Sequence, residues 1–303
     1  VKDAELVAVA ATNLSRAKTF AENYGVERYY DSYSALFADK EVDVVYVATL
    51  HHTHAQVSIE AMNHKKHVLC EKPIAVNAKD ARRMVAASQK NNVFFMEAFW
   101  SRFNPSIVAV KDLIDKGEIG KVRYINAEFT FYKLDDDVNA RSLNVNLAGG
   151  SLLDMGVYTV FLSYLILGTP LEIMARSKFF RTGAEIQTAM LFDYKDAQAV
   201  LYSGFANNTD MKAKICGEAG EIFIHPVWHE TQGFTLVKNG WTKAYRLPTL
   251  GKGFTYEIKE VHQCLANKVL ESSLWSHKDS IALMTIVDEV RKKAGIIYPF
   301  ENQ

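Results

Sequence analysis

The sequence predicts an α/β protein in which a doubly wound parallel sheet is followed by a second domain with a mostly antiparallel sheet and a few helices. Over the first hundred residues, short apolar strands alternate with amphipathic helices, which is the pattern of βαβ units. From Val122 onward, apolar residues recur with period two, as in half-buried antiparallel strands. We therefore predict a first domain over residues 1–101 and a second over residues 102–303.

The first domain is predicted as strands and helices in alternation. An unbroken apolar run, Leu6 to Ala11, gives a strand buried on both faces. The helix after it is capped by Thr12 or Asn13 and ends near Gly25. Further strands are predicted at residues 44–48, 67–70 and 93–96. Because a sheet of this kind binds its ligand at the carboxyl ends of its strands, functional residues are expected there.

The second domain is predicted to begin with a helix that Asn104 caps, with Pro105 at its first position. More helices are expected at about residues 150–167, 254–269 and 278–294. Strands are predicted from residue 122 and at about residues 172–181, 186–193, 197–205, 211–217, 221–225 and 233–246. The last of these contains Asn239-Gly240, a hairpin turn signal.

Composition excludes several classes of partner. The 303 residues include 35 Lys+Arg and 35 Asp+Glu, so no bulk charge attracts a nucleic acid or an anionic membrane. No apolar run reaches membrane-spanning length, and the N-terminus lacks the pattern of a signal peptide. Three cysteines without paired spacing argue against a disulfide framework and for a cytoplasmic location. The cluster from His51 to His54 lacks the further ligands that zinc needs, so no metal is predicted.

Two short motifs combine residue types that can do chemistry on an alcohol. Cys70-Glu71-Lys72-Pro73 follows a predicted parallel strand, which can hold the Lys72 ammonium in the ligand crevice. In the segment from Gly149 to Tyr158, Asp154 and Tyr158 are four residues apart and are predicted to share a helix face. A carboxylate and a phenol on one face can bind and protonate an alcohol or carbonyl. Taken alone, the first motif is more typical of a strand-end turn with a surface ion pair, and the second is compatible with a helix N-terminus.

The glycine-rich turn of a dinucleotide site is missing from the sequence. Such a site uses GxGxxG after the first strand, because glycines let the backbone approach the pyrophosphate. Residues 1–116 contain a single glycine, Gly25. Either the domain never bound a dinucleotide, or the sequence begins after the first strand and its glycine turn.

An ordered set of motifs extends along nearly the whole chain. They are Ser15-Arg16-Ala17, Ala48-Thr49 through His54, Glu71-Lys72-Pro73, the GG-x-LLD-x-G segment from Gly149 to Gly156, and Gly295-Ile296-Ile297-Tyr298-Pro299. Together they resemble the Gfo/Idh/MocA oxidoreductases. The segments Leu69–Pro73 and Met96–Phe103, with Tyr158 where most of the family has His, indicate one branch of that family.

The resemblance implies a Rossmann domain that binds a nicotinamide dinucleotide, and a substrate domain with an open-faced, mostly antiparallel sheet. It implies that Lys72 is the catalytic lysine, that Tyr158 is the general acid/base and that Asp154 orients the reacting hydroxyl. It also places Trp100 and Arg141 beside the substrate. The cofactor residues that it implies beyond the first helix are Thr49, His51, His54, Glu71, Lys72, Trp100 and Arg102. The family's first strand and glycine turn would precede Val1.

The residues after the first strand seen here favour NADP(H) over NAD(H). NAD-specific folds typically carry an acidic residue at this position, whereas the segment from Ala10 to Arg16 contains none. Thr12 and Asn13 can donate hydrogen bonds, and Arg16 can meet a 2′-phosphate or stack on adenine. The alternative is that Asn13 only caps the helix while Arg16 faces water.

These observations lead to one functional prediction and two alternatives. We expect a dehydrogenase or reductase that moves a hydride between NADP(H) and a secondary alcohol or carbonyl of a sugar, polyol or cyclic diol. The alternatives are a non-catalytic regulator that senses a nucleotide or sugar on the same scaffold, and a scaffold protein without nucleotide affinity. Because an open-faced sheet needs cover, we also expect a homodimer through that face.

Overall fold

A computed structural model of the chain describes residues 1–302, with side chains through Glu301. The chain divides into two compact units. Unit 1 comprises Val1–Ala75, Lys79–Ala98 and Glu257–Ser280. Unit 2 comprises Val76–Ala78, Phe99–Tyr256 and the residues from Ile281 onward. Within the described residues, no helix combines the length and the apolar character needed to cross a bilayer.

The two units do not correspond to a single domain boundary between residues 101 and 102, because unit 1 also includes residues 257–280. Hydrogen bonds within unit 1 explain why. The Phe95 backbone N–H donates to the Leu270 carbonyl at 3.0 Å, and the Trp275 indole N–H donates to Glu97 at 2.9 Å. The segment that contains Leu270 and Trp275 is thus hydrogen-bonded to residues just before Phe99, where the chain passes into unit 2. The predicted division into domains of residues 1–101 and 102–303 stays a prediction.

Unit 1 contains five short parallel strands in two sheets. The strands are β1 (Ala8–Ala10), β2 (Arg28–Tyr30), β3 (Val44–Val47), β4 (His67–Glu71) and β5 (Phe95–Ala98), paired as β1-β2 and as β3-β4-β5. The helices that alternate with them are α1 (Leu14–Tyr24), α2 (Tyr33–Ala38), α3 (His54–Asn63) and α4 (Ala78–Asn91). Val68, Phe94 and Phe95 are fully buried between them. This alternation confirms the predicted Rossmann-like class.

The strands depart from the sequence prediction in two respects. The sequence pattern does not indicate β2 or α2. The β2 segment, Arg28-Tyr29-Tyr30, is a short, partly exposed strand with no apolar run. The parallel strands also form two sheets instead of one. The two sheets are β1-β2 and β3-β4-β5.

Unit 2 is built on one eight-stranded sheet. Its strands are β6 (Val122–Thr130), β7 (Glu172–Phe179), β8 (Glu185–Asp193), β9 (Gln198–Gly204), β10 (Ala213–Gly217), β11 (Gly220–Ile224), β12 (Gly233–Lys238) and β13 (Trp241–Arg246), in the order β13-β12-β11-β10-β6-β9-β8-β7. Every neighbouring pair is antiparallel except β6 and β9. The remaining helices of the chain are α5 (Pro105–Asp115), α6 (Val157–Leu167), α7 (Thr255–Ala266) and α8 (His277–Ala294). The mostly antiparallel second sheet is thereby confirmed.

The two faces of this sheet have different surroundings. Residues such as Ile125, Ala199 and Phe192 are fully buried, and α6 packs against β6 and β9. On the opposite face, Val200 of β9 is paired with Leu191 of β8, which is paired with Met174 of β7. Val200 is 41% exposed and Met174 49% exposed. The open face predicted from the resemblance is therefore present and carries apolar side chains.

The predicted helix at residues 150–167 is two structures in succession. Leu152–Gly156 is a π-helix, and only Val157–Leu167 is an α-helix. The Val157 N–H donates to the Leu152 carbonyl, five residues earlier. Because Asp154 lies in the π-helical turn and Tyr158 in the α-helix, the four-residue spacing does not describe one regular helix face.

Candidate active site

In unit 1, a buried glutamate holds the turn that carries Lys72. Strand β4 ends at Glu71, and the Lys72–Pro73 peptide bond that follows is cis. The next residue, Ile74, donates its backbone N–H to Glu97 Oε1 at 2.8 Å. Glu97 Oε2 accepts hydrogen bonds from Trp275 Nε1 at 2.9 Å and Ser280 Oγ at 2.7 Å. The backbone immediately after Lys72 is therefore fixed independently of the lysine side chain.

The charge state of Glu97 depends on competing effects. Burial raises the pKa of its carboxyl, while the hydrogen bonds from Ser280, Trp275 and Ile74 and the nearby Lys72 charge oppose the rise. The amide and indole N–H groups can only donate, so they stabilise the carboxylate form. Sequence reasoning did not identify Glu97, although Met96–Phe103 was among the motifs of the resemblance.

A histidine links the same turn to the neighbouring strand end. His54 is fully buried, and its ring nitrogens lie 2.9 Å from the Pro73 carbonyl oxygen and 3.1 Å from the Thr49 carbonyl oxygen. Burial lowers the pKa of His54, and the contacts with the Pro73 and Thr49 carbonyls oppose this decrease, because only the doubly protonated ring can donate to both oxygens. Thr49 follows β3 and Pro73 follows β4, so His54 joins the carboxyl ends of two adjacent parallel strands. Three residues of the predicted cofactor set, Thr49, His54 and Lys72, thus belong to one edge of the sheet.

Three other side chains at this edge have distinct environments. The Tyr46 hydroxyl donates a hydrogen bond to Glu71. Cys70 is fully buried, and burial raises the pKa of its thiol, so it is an inert core residue. His51 packs edge-on against His54 with ring centroids 5.6 Å apart. Over residues 1–302, no three His, Cys, Asp or Glu side chains converge as a metal site would require.

The N-terminus of α1 combines free hydrogen-bonding capacity with a cation. Asn13 caps the helix, since its side-chain oxygen accepts the Arg16 backbone N–H at 3.1 Å. Thr12, Asn13 and Arg16 are all exposed, and the first turn of α1 contains no acidic residue. A helix N-terminus with an exposed guanidinium and no carboxylate suits a phosphate group.

In unit 2, Tyr158 is a buried phenol with a specific hydrogen-bond donor. It is 4% exposed, and the Trp100 indole N–H donates to its hydroxyl oxygen at 2.6 Å. Trp100 lies in the 3-10 turn Trp100–Phe103 and stacks on Phe254 with centroids 4.8 Å apart. In this contact the phenol oxygen is the acceptor, so the indole holds the oxygen at which a proton would be transferred. Arg102 lies in the same turn of unit 2, whereas the other predicted cofactor residues except Trp100 belong to unit 1.

An aromatic wall surrounds Tyr158 and includes one residue that sequence reasoning missed. His229 stacks on Phe129 with ring centroids 4.0 Å apart, and its ring centroid is 5.3 Å from that of Tyr158. The Ser101 hydroxyl donates to the His229 carbonyl at 2.6 Å, which fixes the loop against the Trp100 turn. No motif around Trp228-His229-Glu230 could have indicated this role, because the three residues form an isolated 3-10 turn between strands.

Asp154 lies between two cations. Arg141 Nη2 is 3.1 Å from one carboxylate oxygen and 3.2 Å from the other, and Lys133 Nζ is 3.5 Å away. The Asp154 side chain is 13% exposed. The structure thus places Arg141, predicted beside the substrate, directly on the predicted orienting carboxylate. The sequence does not predict a role for Lys133. Its position shortly after the end of β6 is the one feature that could have indicated a place near the site.

The chain resembles known oxidoreductases over almost its whole length. Residues 1–99 match the Gfo/Idh/MocA description "Oxidoreductase family, NAD-binding Rossmann fold", and residues 107–223 match a Gfo/Idh/MocA C-terminal domain. Trans-1,2-dihydrobenzene-1,2-diol dehydrogenase of Xenopus tropicalis is 35% identical over 311 residues, covering 98% of this chain and 92% of that protein.

Two solved structures have the same architecture. A 3-ketoreductase from Actinomadura kijaniata, in complex with NADP and TDP-benzene, superposes with a TM-score of 0.85 at 27% identity, covering 96% of this chain and 90% of that one. A levoglucosan dehydrogenase in complex with NADH and levoglucosan gives a TM-score of 0.87 at 18% identity, covering 95% and 88%. The second likeness concerns the fold alone.

The parallel-stranded unit and the unit with the buried phenol together define an oxidoreductase with an NAD(P)-binding Rossmann domain. More specifically, the chain belongs to the Gfo/Idh/MocA family. Within that family it is similar to the trans-1,2-dihydrobenzene-1,2-diol dehydrogenases. The motifs from Leu69 to Pro73 and from Met96 to Phe103 had indicated this branch.

Proposed function

We propose that this oxidoreductase transfers a hydride between NADP(H) and a secondary alcohol or carbonyl of a sugar, polyol or cyclic diol. The environment of Tyr158 carries the proposal: a buried phenol, held at its oxygen by Trp100, stands within an aromatic wall. Such a wall suits the apolar face of a ring, while the phenol suits its hydroxyl. The substrate class is supported by three similar proteins: a diol dehydrogenase, a 3-ketoreductase and, at 25% identity, an aldose-aldose oxidoreductase.

The residues of this chain supply the proton path and the orientation. In oxidation, the phenolate form of Tyr158 accepts the hydroxyl proton of the substrate as the carbinol C–H bond breaks and becomes the phenol. In reduction, the phenol returns that proton to the carbonyl oxygen. When bound, the nicotinamide supplies the hydride acceptor or donor. We assign Asp154 to orienting the reacting hydroxyl and Arg141 to the substrate beside it. The family resemblance assigns the catalytic ammonium to Lys72.

A substrate screen tests the proposal directly. The protein, expressed from its complete reading frame, is assayed with NADP⁺ against cyclic diols, aldoses and polyols, and NADPH binding is followed by fluorescence titration. Turnover of at least one member of these classes is the expected result. Tight NADPH binding without any turnover would favour the sensing regulator, and the absence of nucleotide affinity would favour the scaffold protein.

The cofactor preference is tested at Arg16. Replacing Arg16 with Ala should weaken NADPH binding about tenfold, or ~1.4 kcal/mol, because one cation opposite the 2′-phosphate is lost. NADH, which lacks that phosphate, should bind both proteins equally. Fluorescence titration measures both dissociation constants.

The matched control is Arg83→Ala, which removes an exposed arginine from α4 that is paired with Asp80 at 2.8 Å. It should change neither affinity. Equal NADPH affinity in the Arg16 variant and the parent would show that Arg16 faces water and that the preference for NADP(H) has another origin.

We propose that two copies associate through the open face of the eight-stranded sheet. The support is the apolar row formed by Val200, Leu191 and Met174. Tyr124 of β6 and Phe223 of β11, each 36% exposed, are further apolar residues of the same sheet. Burying such a patch between copies removes it from water. Light scattering should therefore give a dimer mass at micromolar concentration, and Val200→Glu should shift it to the monomer.

Val108→Glu provides the matched control, because Val108 is 42% exposed but belongs to helix α5, which packs beside α6, and not to a strand of the open face. It should remain as dimeric as the parent protein. A parent that is monomeric throughout the micromolar range would contradict the proposed dimer.

A further inference from the structure

A second fully buried carboxylate lies beneath the segment that carries Tyr158. Glu185, the first residue of β8, is 1% exposed. It accepts hydrogen bonds from the Ser151 hydroxyl at 2.6 Å, the Leu152 backbone N–H at 2.8 Å and the Thr188 hydroxyl at 2.7 Å. Burial raises the pKa of this carboxyl, and these hydrogen bonds oppose the rise. A buried carboxyl with this many partners is costly to leave unsatisfied, so its neighbours are held in place.

A short chain of hydrogen bonds connects Glu185 to Tyr158. Leu152, whose N–H donates to Glu185, is the first residue of the π-helix. The Leu152 carbonyl accepts the N–H of Val157, the residue immediately before Tyr158. The carboxylate therefore anchors the start of the i→i+5 turn that ends next to the phenol.

The packing under this turn is adapted to the same network. The Ser151 and Ser203 hydroxyl oxygens are 2.9 Å apart, which extends the network to β9. A Cβ atom added to Gly156 would lie 2.8 Å from Ser203 Oγ and 3.0 Å from a Leu152 methyl group. Glycine at this position lets the π-helix rest directly on Ser203. Two independent features, the anchored N-terminus and the close approach, thus favour the wide turn.

We propose that Glu185 is a positioning residue that sets the π-helical turn and thereby holds the Tyr158 hydroxyl against Trp100. A π-turn contains one residue more than the corresponding α-turn. If it relaxes to an α-helix, the residues on one side rotate by about 100° relative to those on the other. Asp154 and Tyr158 could then not keep both the Arg141 contact and the Trp100 contact. The expected kinetic effect rests on the proposed function, whereas the local structural effect does not.

The test combines local hydrogen exchange with steady-state kinetics on Glu185→Ala and Glu185→Gln. In Glu185→Ala, exchange measured by mass spectrometry should accelerate in peptides covering residues 150–160 and stay unchanged over α5. The turnover number kcat should fall about 10- to 100-fold, while KM and the NADPH dissociation constant change less than about threefold. Glu185→Gln should restore most of the loss, because its amide oxygen can still accept from Leu152 and its NH₂ group can donate to the hydroxyls.

Ser163→Ala is the matched control for a buried defect in the same helix. Ser163 follows Tyr158 along α6 and its hydroxyl lies 2.7 Å from that of Tyr194, so the variant loses a buried hydrogen bond without touching the Glu185 network. Should Glu185→Ala not fold, Ser151→Ala replaces it with a smaller expected loss of kcat, about two- to tenfold.

Three outcomes would overturn the proposal. The first is an unchanged kcat despite faster local exchange, the second is unchanged exchange at residues 150–160, and the third is an equal loss of kcat in Ser163→Ala. If the parent protein turns over no sugar or diol, the proposed function fails, and the exchange data still decide whether Glu185 sets the turn.

Discussion

Replacing Tyr158 with Phe should lower kcat by about 10²- to 10⁴-fold, which is the usual contribution of a positioned general acid/base. The substitution removes only the hydroxyl. The ring keeps its packing against Phe99, with centroids 5.2 Å apart, and against Phe129 at 5.3 Å. NADPH affinity should therefore change less than about twofold. Steady-state kinetics on the best substrate of the screen and fluorescence titration give the two quantities.

Stability should also respond, because Tyr158→Phe leaves the Trp100 indole N–H without the acceptor it has at 2.6 Å. An unsatisfied buried donor costs about 1–3 kcal/mol, which thermal unfolding can measure. The control is Tyr194→Phe. The Tyr194 hydroxyl is also hydrogen-bonded, to Ser163, and burial raises the pKa of Tyr194 to about 12. The control should lose comparable stability and keep full turnover. Equal turnover in the two variants would contradict the assigned role of Tyr158.

The regular parts of the fold follow closely from local sequence. Asn104 and Pro105 predict the start of α5, and the structure has Asn104 as its cap, accepting the Ser106 N–H at 2.8 Å. The dipeptide Asn239-Gly240 predicts a hairpin, and both residues have positive φ, 51° and 78°, as that turn requires. Here the chemistry of one or two residues determines the backbone, so no tertiary information is needed.

The missed elements are those that tertiary packing creates. Strand β2 is three residues long and partly exposed, so neither length nor periodicity indicates it. The return of residues 257–280 to unit 1 depends on partners such as Glu97 that are far away in sequence. The π-helical turn is invisible for a related reason: its apolar pattern is that of a buried α-helix, and Glu185 and Ser203, which favour the wider turn, come from other strands.

The residues of the candidate site likewise include some that the sequence identifies and some that only the folded structure shows. Lys72, Asp154 and Tyr158 belong to contiguous motifs, so a sequence can identify them. Three of their neighbours have no role that the sequence predicts. They are Glu97 at the Lys72 turn, Lys133 at Asp154 and His229 at Tyr158. Glu97 lies within the Met96–Phe103 motif, yet only the folded chain shows which groups these three residues contact.

Replacing Lys72 with Met should lower kcat by about 10²- to 10⁴-fold and leave unit 1 folded. The Lys72 turn is held by the Ile74 N–H and by the Pro73 carbonyl, which bind Glu97 and His54. These anchors are backbone groups, so a side chain of similar length without the ammonium should keep the turn in place. NADPH binding should persist within about threefold. A sensing regulator has no turnover to lose, so this variant separates the enzyme from that alternative.

The pH dependence of thermal stability shows whether Lys72→Met acts by removing a charge or by disrupting the fold. Burial already raises the pKa of Glu97, and the nearby Lys72 charge opposes that rise. Without Lys72 the folded-state pKa of Glu97 should rise further. The folded protein then binds the Glu97 proton more tightly than the unfolded chain does. Its stability therefore falls as the pH increases from the pKa of Glu97 in the unfolded chain to the higher pKa of Glu97 in the folded protein. Lys72→Met should therefore match the parent in thermal stability below that interval and be less stable than the parent towards neutral pH.

Lys79→Met, which removes an exposed lysine of α4, is the control. It should have the stability of the parent at every pH and keep full turnover. If Lys72→Met is as active as Lys79→Met, Lys72 is not the catalytic lysine.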